Sequence, residues 1–160
     1  MKRVHRYNTL FAGLVAAAIP LGAAGPQPPV KIEERAKGAE RVVVATVDDT
    51  MARFERNEFG DDLIVTYARL AVQEDLKGPD GAVTLAIEGG TVNGITMRTS
   101  SLPPLERGER AVFFLTPSSN GTFKSHLRGQ GILKLESTNR VKGSSLTLDE
   151  IRRLARLAGQ

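Results

Sequence analysis

The chain has 160 residues with 22 basic and 18 acidic side chains, a formal charge of +4, and neither cysteine nor tryptophan. Three of the basic residues, Lys2, Arg3 and Arg6, precede an apolar run from Leu10 to Leu21. Without that leader the balance is 19 against 18, about +1, too even to point to nucleic acid or an anionic membrane surface as partner. Absence of cysteine excludes a disulfide framework and a thiol-linked lipid anchor, so an apolar core has to hold the fold alone.

Basic residues, a short apolar run and the small residues Gly22, Ala23 and Ala24 make a secretory signal peptide over residues 1–24. The run is too short for a comfortable membrane span, so no stable insertion is expected after cleavage. About 135 residues then remain, enough for one core. Residues 25–30, Gly-Pro-Gln-Pro-Pro-Val, read as an extended, exposed linker, because proline cannot pair inside a sheet.

Lys31–Glu40 suits one or two helical turns with Ile32, Ala36 and Ala39 as a thin apolar edge, weakened by Gly38. Arg41–Val47 is a β-branched run expected to be buried on both faces, continuing towards Phe54 with a bend at Asp48 and Asp49. Asn57–Asp62 is a hairpin loop. Leu63–Val72 alternates, with Ile64, Thr66, Ala68, Leu70 and Val72 on one face and Val65, Tyr67 and Arg69 on the other. After the Lys77–Gly81 turn, Val83, Leu85 and Ile87 mark a third strand.

Thr91–Thr99 reads as a fourth strand with a bulge at Gly94, ended by Pro103 and Pro104. Ala111–Leu115 is a fifth, followed by a Ser118–Gly121 hairpin into Thr122–Leu127, and Ile132–Leu135 is a last short strand. Lys142–Ser145 reads as a flexible connection. Thr147 and Glu150 then form a capping box opening a helix with Ile151, Leu154 and Leu157 on one face and Arg152, Arg153 and Arg156 on the other. Closely spaced short strands predict a mainly β fold, a small antiparallel β-barrel of OB-like type over residues 31–137 with a short N-terminal helix. Residues 138–160 are the connection and a C-terminal amphipathic helix.

Candidate chemistry is sparse. His126 is the one histidine after the leader and reads as a surface strand residue; Ser125 cannot be its nucleophile on a strand, since neighbours point to opposite faces. The pairs Asp48/Asp49, Asp61/Asp62 and Glu74/Asp75 lie at turns or strand ends without the spacing of a calcium hand. Gly89, Gly90 and Gly94 precede a strand rather than a helix, which excludes a phosphate loop. Phe113 and Phe114 read as core rather than base-stacking platforms, and no nucleic-acid partner is expected. No catalytic residue, metal site or cofactor site is assigned, and the chain reads as not an enzyme.

Four segments carry a resemblance: the Leu76–Gly78 turn, Gly89–Gly94, Pro103–Leu115 with its Pro-Pro and Gly-Glu-Arg elements, and Gly129–Leu133. Over roughly Ala39–Leu135 the chain resembles a family of exported bacterial domains that occur alone or beside matrixin-type metalloproteases. That family is distantly similar to the netrin-like barrels of tissue inhibitors of metalloproteases. The resemblance implies a secreted or periplasmic binding or accessory module whose partner is another exported protein, a protease above all. It also implies an alternative, an inhibitor or regulator of such a protease. The expected start after residue 24 has no cysteine with which to chelate a protease zinc, and no HExxH motif makes this chain the protease itself. A small hydrolase with a site assembled across strands is a second alternative.

Overall fold

The computed structural model describes residues 29–57 and 59–158. The expected signal peptide and most of the expected proline-rich linker lie outside the described residues. The fold is mainly β: eight strands and two helices run in the order α1 (Ile32–Gly38), β1 (Arg41–Arg56), β2 (Asp62–Lys77), β3 (Val83–Glu88), β4 (Gly90–Val92), β5 (Ile95–Met97), β6 (Arg110–Pro117), β7 (Phe123–Ser125), β8 (Ile132–Lys134) and α2 (Leu148–Ala158).

Six strands form one sheet in the order β1-β2-β3-β7-β6-β8, and β1 also pairs with β6. The order thus returns on itself as a barrel-like ring of β1, β2, β3, β7 and β6. Closure is uneven. β1 and β2 pair along nearly their whole lengths, whereas β3 and β7 run parallel and meet at a single residue pair, Leu85 with Phe123.

β1 organises the packing because its Val42–Ala45 segment is buried on both faces, as the β-branched run requires. Val43, Ala45 and Val47 turn into the ring with Leu85, Phe113 and Leu115. Val42 and Val44 turn outward with Val112 and Phe114, where α1 and α2 cover them through Ile32, Ala36, Leu148 and Ile151. Two cores therefore share one strand pair, β1 and β6. A register shift between Val47 and Asp49 is the expected bend. An extra residue in one strand exchanges its two faces, so beyond it Thr50 and Ala52, opposite Ala68 and Thr66, take the inner side.

The Gly-Glu-Arg segment aims β6. Glu109 O accepts from Val47 N–H and Gly108 N–H donates to Val47 O, both at 2.8 Å, while Lys134 binds the Glu109 carboxylate at 2.7 Å. Leu105, just before it, is buried in the ring.

Four expectations are corrected. Thr91–Thr99 is two strands rather than one bulged strand, because Asn93 and Gly94, with φ of 50° and 80°, supply both positive dihedrals of a two-residue hairpin turn. Gly90 seats this hairpin on the β1–β2 ribbon: a Cβ there would clash with Thr66 Oγ1 and lie 3.1 Å from Ala52 Cβ. On α2 the buried face is Leu148, Ile151 and Ala155, with Leu157 exposed, since helix rotation carries Leu157 past the contact with α1. Lys142–Ser145 is a tight turn, closed by Val141 N–H to Leu146 O at 2.9 Å, and Val141 itself is buried. Finally, Val30 is docked rather than free, its N–H donating to Gln130 Oε1 at 2.8 Å.

The capping box forms as read: Glu150 Oε2 accepts from Thr147 N–H at 2.9 Å and Glu150 N–H donates to Thr147 Oγ1 at 3.3 Å. Arg152 and Arg156 fasten α2 to Glu74 of β2 at 2.8 and 3.1 Å.

Candidate binding groove

A groove of about 580 Å³ lies along the outer face of β2 and β3, between the β1–β2 hairpin loop and the β6–β7 loop. Strand alternation builds its floor. Leu63, Val65 and Tyr67 point away from the face that carries the buried Ile64, Thr66 and Ala68, and Ala86 and Glu88 continue the floor on β3. Phe59, 82% exposed, stands at one end, and Lys124, Ser125 and Arg128 at the other.

Near the hairpin, Tyr67 is held upright. Its hydroxyl donates a short hydrogen bond to Glu55 Oε1, to which Arg53 Nε also donates at 2.8 Å, and the Arg53 guanidinium lies 4.5 Å from the Tyr67 ring centroid. These donors hold the Glu55 carboxyl below its ordinary range, the Tyr67 hydroxyl first and Arg53 second. Burial, followed by the Glu55 carboxylate, pushes the Tyr67 phenol up, so it stays a donor at neutral pH.

At the other end the groove runs into the seam between β3 and β7. Beyond Leu85 no further ladder pair forms with β7, although β7 stays alongside β3, and Glu88 O accepts from Thr99 Oγ1 at 3.3 Å. Arg128 spans this boundary, donating from one terminal nitrogen to Glu88 Oε2 at 3.0 Å and from Nε to Ser101 Oγ at 2.6 Å. The turn that aims it is strained: Leu127 and Arg128 both adopt the left-handed conformation, with φ of 56° and 53°, which costs an L-residue about 1–2 kcal/mol. Gly129 N–H to Ser101 O at 2.7 Å and Ser125 Oγ to Arg128 O at 2.5 Å hold the turn in that form. Lys124 pairs through its main chain with Thr116 of β6, but its side chain makes no hydrogen bond or ion pair with another described residue. A wider hollow of about 650 Å³ lies between Ser100–Pro103 and Leu127–Lys134. There Lys134 is already taken by Glu109 and Pro104 O.

His126 is not a surface strand residue. It follows β7, half-buried, with its ring so close to Gly38 of α1 that a Cβ there would collide with it. Burial first, and the nearby Lys77 charge second, hold its pKa below the ordinary 6.5. Its main-chain N–H donates to Phe114 O, and Ser125 Oγ turns to Arg128 O instead.

The carboxylate pairs are spread over separate arginines. Asp48 pairs with Arg69, Asp62 with Arg56, Glu74 with Arg152 and Arg156, and Asp75 with the buried Arg41. Among the described residues no three or more His, Cys, Asp or Glu side chains are grouped to hold a metal ion, and no helix is long and apolar enough to cross a membrane. Phe113 and Phe114 are fully buried, one in each core.

Sequence reasoning had no means of finding the groove. Arg53 and Glu55 are two apart on one strand and so share a face, but only the β1–β2 register brings Tyr67 within reach of them. Glu88 and Arg128 are forty residues apart with no pattern linking them. No protein-family model matches the sequence, and no curated protein is found to match it.

Proposed function

We propose that the chain is an exported, non-enzymatic binding or accessory module, built on a barrel of OB-like, netrin-like type. In this reading the groove on β2 and β3 receives an extended segment of another exported protein. The observation that carries it is the groove itself: an apolar floor of Leu63, Val65 and Tyr67, left part-exposed along β2 and ended by charged side chains, is shaped to take an extended chain whose alternate side chains enter it. The unevenly closed five-strand ring is the kind of barrel whose second and third strands commonly form a binding face. The leader-like start supports export. The resemblance to domains found beside matrixin-type metalloproteases supports a protease as the partner class.

A photo-cross-linking residue placed at Val65 in the floor, compared with one at Arg153 on the exposed side of α2, tests this in cells. The expected result is an adduct with one exported protein from Val65 and none from Arg153. Equal labelling from both positions, or none from Val65, overturns the reading. Adding the purified domain to the partner protease then separates an accessory role from inhibition.

A further inference from the structure

We infer that the seam end of the groove recognises a carboxylate on the incoming segment, and that Glu88 occupies Arg128 as an internal substitute for it. The inference rests on the groove reading above and deepens it.

Three observations lead there. First, Arg128 sits on two consecutive left-handed non-glycine residues. Strained turns of this kind persist only where the surroundings enforce them, and they concentrate at ligand clamps. Here the strain places a guanidinium across the β3–β7 boundary. Secondly, while Arg128 Nε is held by Ser101 Oγ, its ion pair with Glu88 is solvent-exposed: the two side chains are 50% and 46% exposed, so the pair contributes little to stability and can exchange partners in solvent. A guanidinium matches a carboxylate in a planar, two-point contact, which makes carboxylate the fitting class of ligand. Thirdly, Lys124 lines the same end without an ion-pair partner among the described residues. Lys124, Arg128 and Glu88 thus line one end of the groove with one positive charge in excess, and an added negative charge restores balance. A segment lying on the groove floor over Ala86 and Glu88 runs up to Lys124 and Arg128. An aspartate, a glutamate or a chain-terminal carboxylate at that point takes Arg128 from Glu88.

The test is selection of a displayed library of random octapeptides on the mature domain, followed by binding titration of the selected peptides against Arg128→Gln and Glu88→Gln. The expected result is enrichment of peptides with an acidic residue at one fixed position, or at the C-terminus. Arg128→Gln should weaken these about 10- to 100-fold, the range for a charged hydrogen bond. Glu88→Gln, which removes the internal competitor, should tighten them. Opposite signs are the signature of exchange, because a merely structural pair would weaken binding from either side. Enriched peptides without acidic bias that shift the amide signals of β3 overturn the carboxylate inference and leave the groove reading standing. No enrichment at all overturns both. Unchanged thermal midpoints confirm that the two variants are folded.

Discussion

The two ends of β1 live in different surroundings. Its first half, Arg41–Val47, lies between two cores, with side chains alternately in the ring and under the helices, and Val42–Ala45 have no measurable exposure. Its second half, beyond the Asp48 bulge, pairs only with β2 in the main sheet and leaves Met51 and Phe54 about half exposed. Both halves are strand and both pair with β2, the first with register shifts at Val42/Val43 and Val44/Ala45 and the second in unbroken register from Asp49 to Arg56. The difference is what covers them: one half supplies stability, and the other, with β2 and β3, supplies a surface. A fold divided this way can vary its exposed end without disturbing its core.

The largest expected effect contrasts the halves directly. Phe114→Ala should cost about 3–5 kcal/mol, because it empties the space between β6 and the helices. Phe59→Ala at the groove end should stay within about 0.5 kcal/mol. Urea unfolding measures both, and similar losses in the two variants would erase the distinction between core and surface.

Gly90→Ala should fall between them, at about 1–3 kcal/mol. It combines a φ of 137°, which only glycine tolerates, with a clash against Thr66 and Ala52. Because the cost sits in the β4–β5 hairpin, amide exchange should quicken there and remain slow in β6. Uniform quickening would show that the hairpin and the core unfold as one unit.

The smallest effect is pH-dependent. Burial and Lys77 depress the folded-state pKa of His126 below 6.5, so the unfolded chain binds more protons as pH falls through that range. The native contact between His126 and α1 is fully stabilising above pH 6.5 and loses stability as pH drops towards the lower folded value. Unfolding measured between pH 7.5 and 5.5 should therefore show a decline that His126→Gln flattens. A variant with the same slope as the parent chain would remove His126 from the account.

Much of the framework was legible in the sequence, since strand burial follows alternation and β-branching. Val83, Leu85 and Ile87 are buried as their period demands, and the Asp48–Asp49 bend falls where two acids interrupt an apolar run. The Thr147–Glu150 box was equally readable, being a local pattern of four residues. Asn93-Gly94 carried a hairpin signal that the bulge reading of Gly94 obscured. The groove could not be read, because Tyr67, Glu55, Glu88 and Arg128 meet only through register and a strained turn. Arg35 is one of the charged residues around the thin apolar edge of α1, and nothing in its local pattern marks it as buried, yet it is 6% exposed.

That arginine has a mechanical consequence. Its Nε donates to Val30 O at 2.8 Å and one terminal nitrogen to Gln130 O at 2.5 Å, while Gln130 in turn binds Val30 N–H. The guanidinium keeps its charge despite the downward pull of burial on its pKa, and main-chain carbonyls alone satisfy these contacts. Tension applied upstream of Val30 is thus delivered to the 127–131 turn, the same turn that carries Arg128. A load on the entering chain therefore bears on the turn that aims Arg128 at Glu88.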